Sequence, residues 1–198
     1  MLRIGVTGGI GTGKTIVCKL FELLKAPVFY ADSAAKAAMQ ADPVLIAGLK
    51  TTFGEETYTG DGNLNRSYLA SIVFNSEEKL RQLNALVHPA VFKTFDLWVE
   101  RQNALYVLKE AALLFESGSY KDCDYTVLVS SPPELRIQRV MSRDKITREQ
   151  VLARINKQMP EVEKAKMADF IIANNEAQLL IPQVLVLHKK FVSGAGTR

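Results

Sequence analysis

Gly8-Gly9-Ile10-Gly11-Thr12-Gly13-Lys14-Thr15 fits the pattern G-x-x-x-x-G-K-[ST] at every fixed position. Four glycines within six residues let the backbone turn its N–H groups inward around phosphate oxygens. Lys14 can reach the β- and γ-phosphates of a nucleoside triphosphate, and Thr15 can offer its hydroxyl to Mg²⁺. The flanks suit that reading. Leu2–Thr7 is a short apolar strand, and Lys14–Leu24 carries apolar residues at helical spacing, so a positive helix end points into the loop. An ordinary Gly-rich turn would not call for Lys and Thr at these places. The motif specifies the donor and is silent about the acceptor.

Outward from the loop, strand and helix patterns alternate. Pro27–Tyr30, Leu105–Leu108, Tyr125–Val129 and Phe170–Ile172 read as further short apolar strands. Helices are predicted over Ala34–Ala41, Asp42–Phe53, Arg66–Phe74, Ser76–Leu86, Pro89–Gln102, Pro132–Arg143, Thr147–Gln158 and Ala177–Phe191. Asp42-Pro43 opens one of them, Ser76 caps another, and Thr147 with Gln150 forms a capping box. Thr57–Asn65 is a turn or small hairpin, and the Gly-rich tail Ser193–Arg198 should fray. Five short strands separated by helices give an α/β fold: a five-stranded parallel sheet with helices on both faces. The nearly all-helical stretch 33–104 is too long for one crossover and reads as an insertion.

Composition sets the bounds. The chain has 198 residues, 47% hydrophobic and 23% charged, which suits one globular domain. No apolar run approaches the roughly 18 residues of a membrane span. The N-terminus lacks the features of a signal peptide, so a cytoplasmic location is expected. Cys18 and Cys123 form no metal or redox spacing and read as reduced thiols. With 25 Lys and Arg against 21 Asp and Glu, the net charge is +4. The basic residues are dispersed, with a modest concentration from Arg136 to Lys166; this suits phosphate handling and not nucleic acid.

Several side chains stand at positions that matter in such a fold. Asp32 follows an apolar strand by two residues, where ligands gather in open α/β sheets. It can take a proton from an attacking hydroxyl, help hold Mg²⁺, or cap the next helix. Glu110 follows the strand Leu105–Leu108 by two residues. It can bind a metal through water or stand in a solvated loop. Glu116 is a weaker candidate with a structural ion pair as its alternative. Arg139 and Arg143 share a helix face and can clamp phosphates, or pair with Asp144 and Glu134; Arg136 lies one position off that face. His88 can contact substrate or be a hydrogen-bonded turn residue, and His188 reads as a surface side chain. Asn174 and Asn175 follow the last strand, where adenine could lie or a helix be capped. Trp98 reads as helix packing.

The ordered set of motifs resembles the dephospho-CoA kinase family along nearly the whole chain. The opening Thr7-Gly8-Gly9-Ile10-Gly11-Thr12-Gly13-Lys14-Thr15 is close to that family's TGGIGSGKS. Tyr30-Ala31-Asp32 stands where the family has Asp-Ala-Asp; the second Asp, its base on the acceptor 3′-hydroxyl, is kept and the first has become Tyr30. Asp61-Gly62-Asn63-Leu64-Asn65-Arg66 through Val73-Phe74, and Leu83-Asn84 through His88-Pro89, match two further motifs. Glu110-Ala111-Ala112-Leu113-Leu114-Phe115-Glu116 resembles D-I-P-L-L-F-E, with Glu for Asp at 110 and Ala for Pro at 112. Arg139 through Arg143-Asp144, Arg154 through Gln158, and Ala168-Asp169-Phe170 through Asn174 complete the set, with Glu176 where the family often has Gly.

The resemblance implies a P-loop NTPase-type fold with a helical substrate-binding insertion and a small helical lid. The expected subregions are a nucleotide core at 1–32, 105–137 and 167–192, an acceptor insertion at 33–104 and a lid at 138–166, within one domain. The implied reaction is phosphorylation of the ribose 3′-hydroxyl of dephospho-CoA by MgATP, giving CoA and ADP. Asp32, Lys14 and Arg139 are the expected catalytic residues. The nucleotide would meet Gly11, Thr12, Gly13, Lys14, Thr15, Ile16, Arg139, Arg143 and Asn174. The acceptor would meet Asp32, Arg66, His88 and Glu110, and Mg²⁺ would meet Thr15 and Glu110. Other P-loop kinases and nucleotide switches share the loop, but an N-K-x-D guanine signature is absent from the sequence.

Overall fold

The computed structural model describes residues 1–74 and 76–195. It divides into two compact units, Met1–Tyr30 with Arg101–Arg198, and Ala31–Glu100.

The first unit is built on β1 (Leu2–Thr7), whose buried alternation enters the glycine loop and then α1 (Lys14–Leu23), followed by β2 (Val28–Tyr30). The second unit holds α2 (Ala31–Ala41), α3 (Pro43–Phe53), α4 (Arg66–Phe74) and α5 (Glu77–Glu100). The chain then returns to the first unit with β3 (Tyr106–Glu110), β4 (Tyr125–Ser130), α6 (Pro133–Asp144), α7 (Arg148–Ile155), α8 (Glu161–Met167), β5 (Phe170–Ala173) and α9 (Leu180–Ala195). All strand pairs are parallel, in the order β2-β3-β1-β4-β5.

Side-chain alternation gives the sheet two faces. Ile4 and Val6 of β1 and Val127 and Val129 of β4 join Val17, Cys18 and Phe21 of α1 and Val184 and Phe191 of α9 in one core. The other face takes the alternate residues. There Ser130 of β4 donates to Glu161 of α8, and a Cβ on Gly5 would press on Leu114 and Cys123. Helices therefore cover both faces.

In the second unit the expected caps are in place. Asp42 accepts from the Val44 and Leu45 N–H groups, and Ser76 accepts from the Lys79 N–H. The bridge Tyr58↔Leu64 closes the small hairpin. Two expectations fail here. No break separates Ser76–Leu86 from Pro89–Gln102, because α5 runs through Pro89. A mid-helix proline costs about 3 kcal/mol. Against it, Val87, Val91, Phe95 and Val99 make one buried stripe at four-residue spacing. Each such side chain gains about 1.5–3 kcal/mol on burial, so the stripe wins. Trp98 stacks on Phe95 in the same helix. Secondly, α2 begins at Ala31, directly out of β2 and not at Ala34. Asp32 is thus a first-turn residue facing the helix's positive end, and the N-cap reading does not hold.

Other boundaries shift in the first unit. Strand β3 reaches Glu110, so that residue ends the strand and does not follow it. The capping box of Thr147 and Gln150 is formed, and α8 is a helix that periodicity did not single out. Helix α9 starts at Leu180, after Asn175 Oδ1 has accepted from the Ala177 and Gln178 N–H groups. It carries Ser193 and Gly194 of the expected frayed tail, while 196–198 lie outside the described residues. His188 is not a plain surface residue: its Nδ1 lies 2.6 Å from the Tyr106 hydroxyl, and it is half-buried.

Candidate active site

The phosphate loop sits between the carboxyl end of β1 and the start of α1. Gly13 is the N-cap of α1 with φ 91°, a left-handed conformation that suits glycine, and a Cβ there would collide with the Asn174 amide. Thr12 is fully buried and its hydroxyl donates to the Gly9 carbonyl at 3.0 Å. Lys14 arches back over the loop, with Nζ donating to the carbonyls of Gly8 at 2.9 Å and Gly9 at 3.3 Å. Its ammonium is therefore held against the first two carbonyls of the loop. Thr15 and Ile16, in the first turn of α1, are exposed.

Glu110 ends the neighbouring strand, in register with Val6 of β1 and Tyr30 of β2, and is only 6% exposed. Its charge, after burial, helps raise the pKa of the Cys18 thiol, which lies one turn beyond Thr15 on α1. The carboxylate thus stands at the same edge of the sheet as the phosphate loop. Thr15 and Glu110 are the pair expected around Mg²⁺. One hydroxyl and one carboxylate suit that ion, which takes most of its shell from water and substrate phosphates. Among the described residues no group of three or more His, Cys, Asp or Glu could cage a metal.

Asn174 does not present its side chain as an open adenine contact. Its amide donates to the Thr12 carbonyl at 2.8 Å, and its own N–H donates to Ser130. Arg139 links the same loop to α6. It donates to the Ser131 hydroxyl at 3.0 Å, to the Asn174 carbonyl at 3.4 Å and to Glu176 at 3.0 Å. Arg143, one turn on, is directed at Asp144 at 2.7 Å and has a 64% exposed side chain. Arg154 binds the same carboxylate at 2.8 Å. Both guanidiniums, Arg143 first, hold the Asp144 carboxyl below the usual range. Glu134 pairs with Arg148 instead of an α6 arginine. Glu116 makes the structural ion pair, 2.8 Å from the buried Lys164 ammonium.

The residue that sequence reasoning undervalued is Arg136. It is buried, donates from Nε to the Ile10 carbonyl at 3.0 Å and pairs with Glu161 at 2.9 Å. A Cβ on Gly9 would overlap its guanidinium. The signal was present in the helix: Arg136 is four residues before the buried Val140 and next to Ile137, on the inward stripe of α6.

The second unit carries the remaining candidates. Asp32 is in the first turn of α2. Arg66 starts α4 and lines an apolar cavity of about 230 Å³ with Lys36, Met39, Leu69, Val73 and Leu83. His88 is neither at a helix start nor in a turn; it lies mid-helix in α5, half-buried, with its ring stacked on Phe92.

An all-parallel sheet that delivers a lysine-closed glycine loop from its central strand into a helix defines a P-loop kinase. A family model described as dephospho-CoA kinase matches residues 2–179. A dephospho-CoA kinase of Bacteroides fragilis is 39% identical over 187 residues, covering 94% of this chain and 91% of that protein. The crystal structure of a Thermus thermophilus protein superposes with TM-score 0.83 and 36% identity, covering 98% of this chain and 97% of that one. The dephospho-CoA kinase of Campylobacter jejuni gives TM-score 0.68 and 25% identity, with 97% and 98% covered. The chain belongs to the dephospho-CoA kinase family, whose members phosphorylate dephospho-CoA with ATP in the final step of CoA biosynthesis.

Proposed function

We propose that this chain transfers the γ-phosphoryl group of MgATP to the ribose 3′-hydroxyl of dephospho-CoA, with Lys14, Asp32 and Arg139 as its catalytic residues. The observation that carries the reading is the Lys14 ammonium lying over the Gly8 and Gly9 carbonyls, at the carboxyl edge of a parallel sheet. In phosphoryl transfer the protein's work is positioning and charge stabilisation. The loop from Gly11 to Ile16 would hold the triphosphate, and Lys14 would move from carbonyls to phosphate oxygens. Asp32 would accept the proton of the attacking 3′-hydroxyl. Arg139, already near the loop through Asn174, would face developing charge on the transferred group.

Mg²⁺, when bound, supplies positive charge against the β- and γ-phosphate oxygens, and Thr15 and Glu110 are the residues that would hold it. Arg66, His88 and Glu110 are proposed on the acceptor side. The segment 138–166 is proposed as the lid that excludes water and carries Arg143. Its α8 end is anchored: Lys164 is 1% exposed and donates to the Ala112 carbonyl at 3.1 Å. Motion is therefore assigned to α7 and the turn before it. No helix among the described residues is long and apolar enough to cross a membrane, and the compartment we propose is the cytoplasm.

An acceptor panel tests the function. With dephospho-CoA, CMP, AMP and shikimate offered separately with ATP or GTP, ADP release should depend on dephospho-CoA and ATP. Preferential phosphorylation of another acceptor, or turnover with GTP alone, would refute it.

A further inference from the structure

Ile10 is held through its N–H, its carbonyl and its side chain. Its N–H donates to Gln158 Oε1 at 2.9 Å, its carbonyl accepts from Arg136 Nε at 3.0 Å, and its side chain lies against Ile137, Val140 and Val151 of α6 and α7. The holders are themselves fixed. Arg136 pairs with Glu161, and Met159, next to Gln158, donates its N–H to Glu116 at 3.0 Å.

Ile10 occupies a sensitive place. The Thr12 N–H donates to the Gly9 carbonyl at 3.3 Å, and Gly11 has φ 81°. That is the pattern of a type II turn with Ile10 and Gly11 at its centre. The Ile10–Gly11 peptide can in principle rotate as a plate, exchanging the directions of its C=O and N–H. In a planar trans peptide those two groups point opposite ways. Arg136 draws the carbonyl towards α6, so the Gly11 N–H is directed away from α6. Rotation would put an acceptor oxygen where a donor now stands, which opposes anion binding.

We infer that Arg136 and Gln158 are positioning residues that fix the two peptides flanking Ile10, Gln158 through the N–H of Gly9–Ile10 and Arg136 through the carbonyl of Ile10–Gly11, and that ATP affinity is thereby tied to the α6–α7 segment. The inference rests on reading the loop as the ATP phosphate site. It also explains why a lid segment sends a glutamine to the tip of the loop.

Gln158→Met removes the acceptor for the Ile10 N–H at a half-buried position. Arg136→Lys keeps the charge beside Glu161 but lacks the planar fork that serves two acceptors at once. ATP affinity is read by calorimetry, the Ile10 and Gly11 amides by ¹⁵N–¹H spectra, and folding by thermal melting. Each variant should weaken ATP binding about tenfold, as for loss of a buried partner. The Ile10 resonance should move or broaden in Gln158→Met and the Gly11 resonance in Arg136→Lys, with the KM of the acceptor unchanged. If Arg136→Lys does not fold, Gln158→Met decides alone. Wild-type affinity with unmoved Ile10 and Gly11 resonances in Gln158→Met overturns the inference while leaving the kinase reading standing. A wild-type protein that binds no ATP overturns both.

Discussion

Asn174 Nδ2 donates to the Thr12 carbonyl across 2.8 Å, joining the loop after the last strand to the phosphate loop after the first. The two residues are 162 positions apart. The contact stands where Gly13 leaves no Cβ in the way. It makes the shape of the ATP site depend on the far end of the chain.

Asn174→Ala should therefore cost about 1–3 kcal/mol, the usual penalty for stranding a buried partner. It should also raise the KM for ATP several-fold. Asn174→Asp should be no better, since a carboxylate cannot donate to the Thr12 carbonyl. Melting curves and ATP titrations check this. An aspartate variant equal to wild type would remove the hydrogen bond from the account.

Lys14→Ala should lower turnover by on the order of 10²–10³-fold, the range found when a donor to transition-state charge is removed. Its partners in this structure include backbone carbonyls of the loop. Folding should survive, because Lys14 is not part of the core. Steady-state rates with circular dichroism alongside test this, and activity within a few-fold of wild type would unseat Lys14.

Asp32→Asn should lower kcat by about 10²–10⁴-fold while leaving ATP affinity nearly intact, because Asn keeps a hydrogen bond but cannot take a proton. Asp32 sits inside the first turn of α2, so losing its charge costs only about 0.3–1 kcal/mol through the helix dipole. A large kcat loss beside a small stability loss is the expected signature. Recovery of the rate at high Mg²⁺ would move Asp32 to the metal shell.

Burial is the main cause that pushes the Cys123 thiol up to about 11, and the Cys18 thiol is raised further. An acidic group whose pKa rises on folding adds stability below its unfolded pKa and loses it as pH climbs through the folded value. Stability should thus fall from about pH 9 to 11, and the fall should be shallower in Cys123→Ala. Thiol reagents should also react slowly with the native protein at pH 8. Rapid modification of both cysteines under native conditions would contradict this.

How much the sequence disclosed followed the range of each signal. Short-range patterns read correctly: β1 and its loop, the Asp42 cap, and the Thr147–Gln150 capping box are all local chemistry. Pro89 misled because a local rule met a tertiary stripe that runs straight through it. His188 misled because its partner, Tyr106, is 82 residues away. Asn174 reads from the sequence as an adenine neighbour or a cap, and its contact with Thr12 is not legible there because it depends on β5 lying beside β4 and β4 beside β1. Arg136 and Gln158 meet at Ile10 only once α6 and α7 are folded against the loop.

The central claim is transfer to one particular hydroxyl. The direct measurement is ³¹P NMR of the product formed from dephospho-CoA and MgATP, with ADP quantified in the same sample. The account predicts a single new phosphomonoester on the ribose 3′-oxygen, formed in equal amount with ADP. ADP without a phosphorylated acceptor, or a phosphate on any other oxygen, would contradict it.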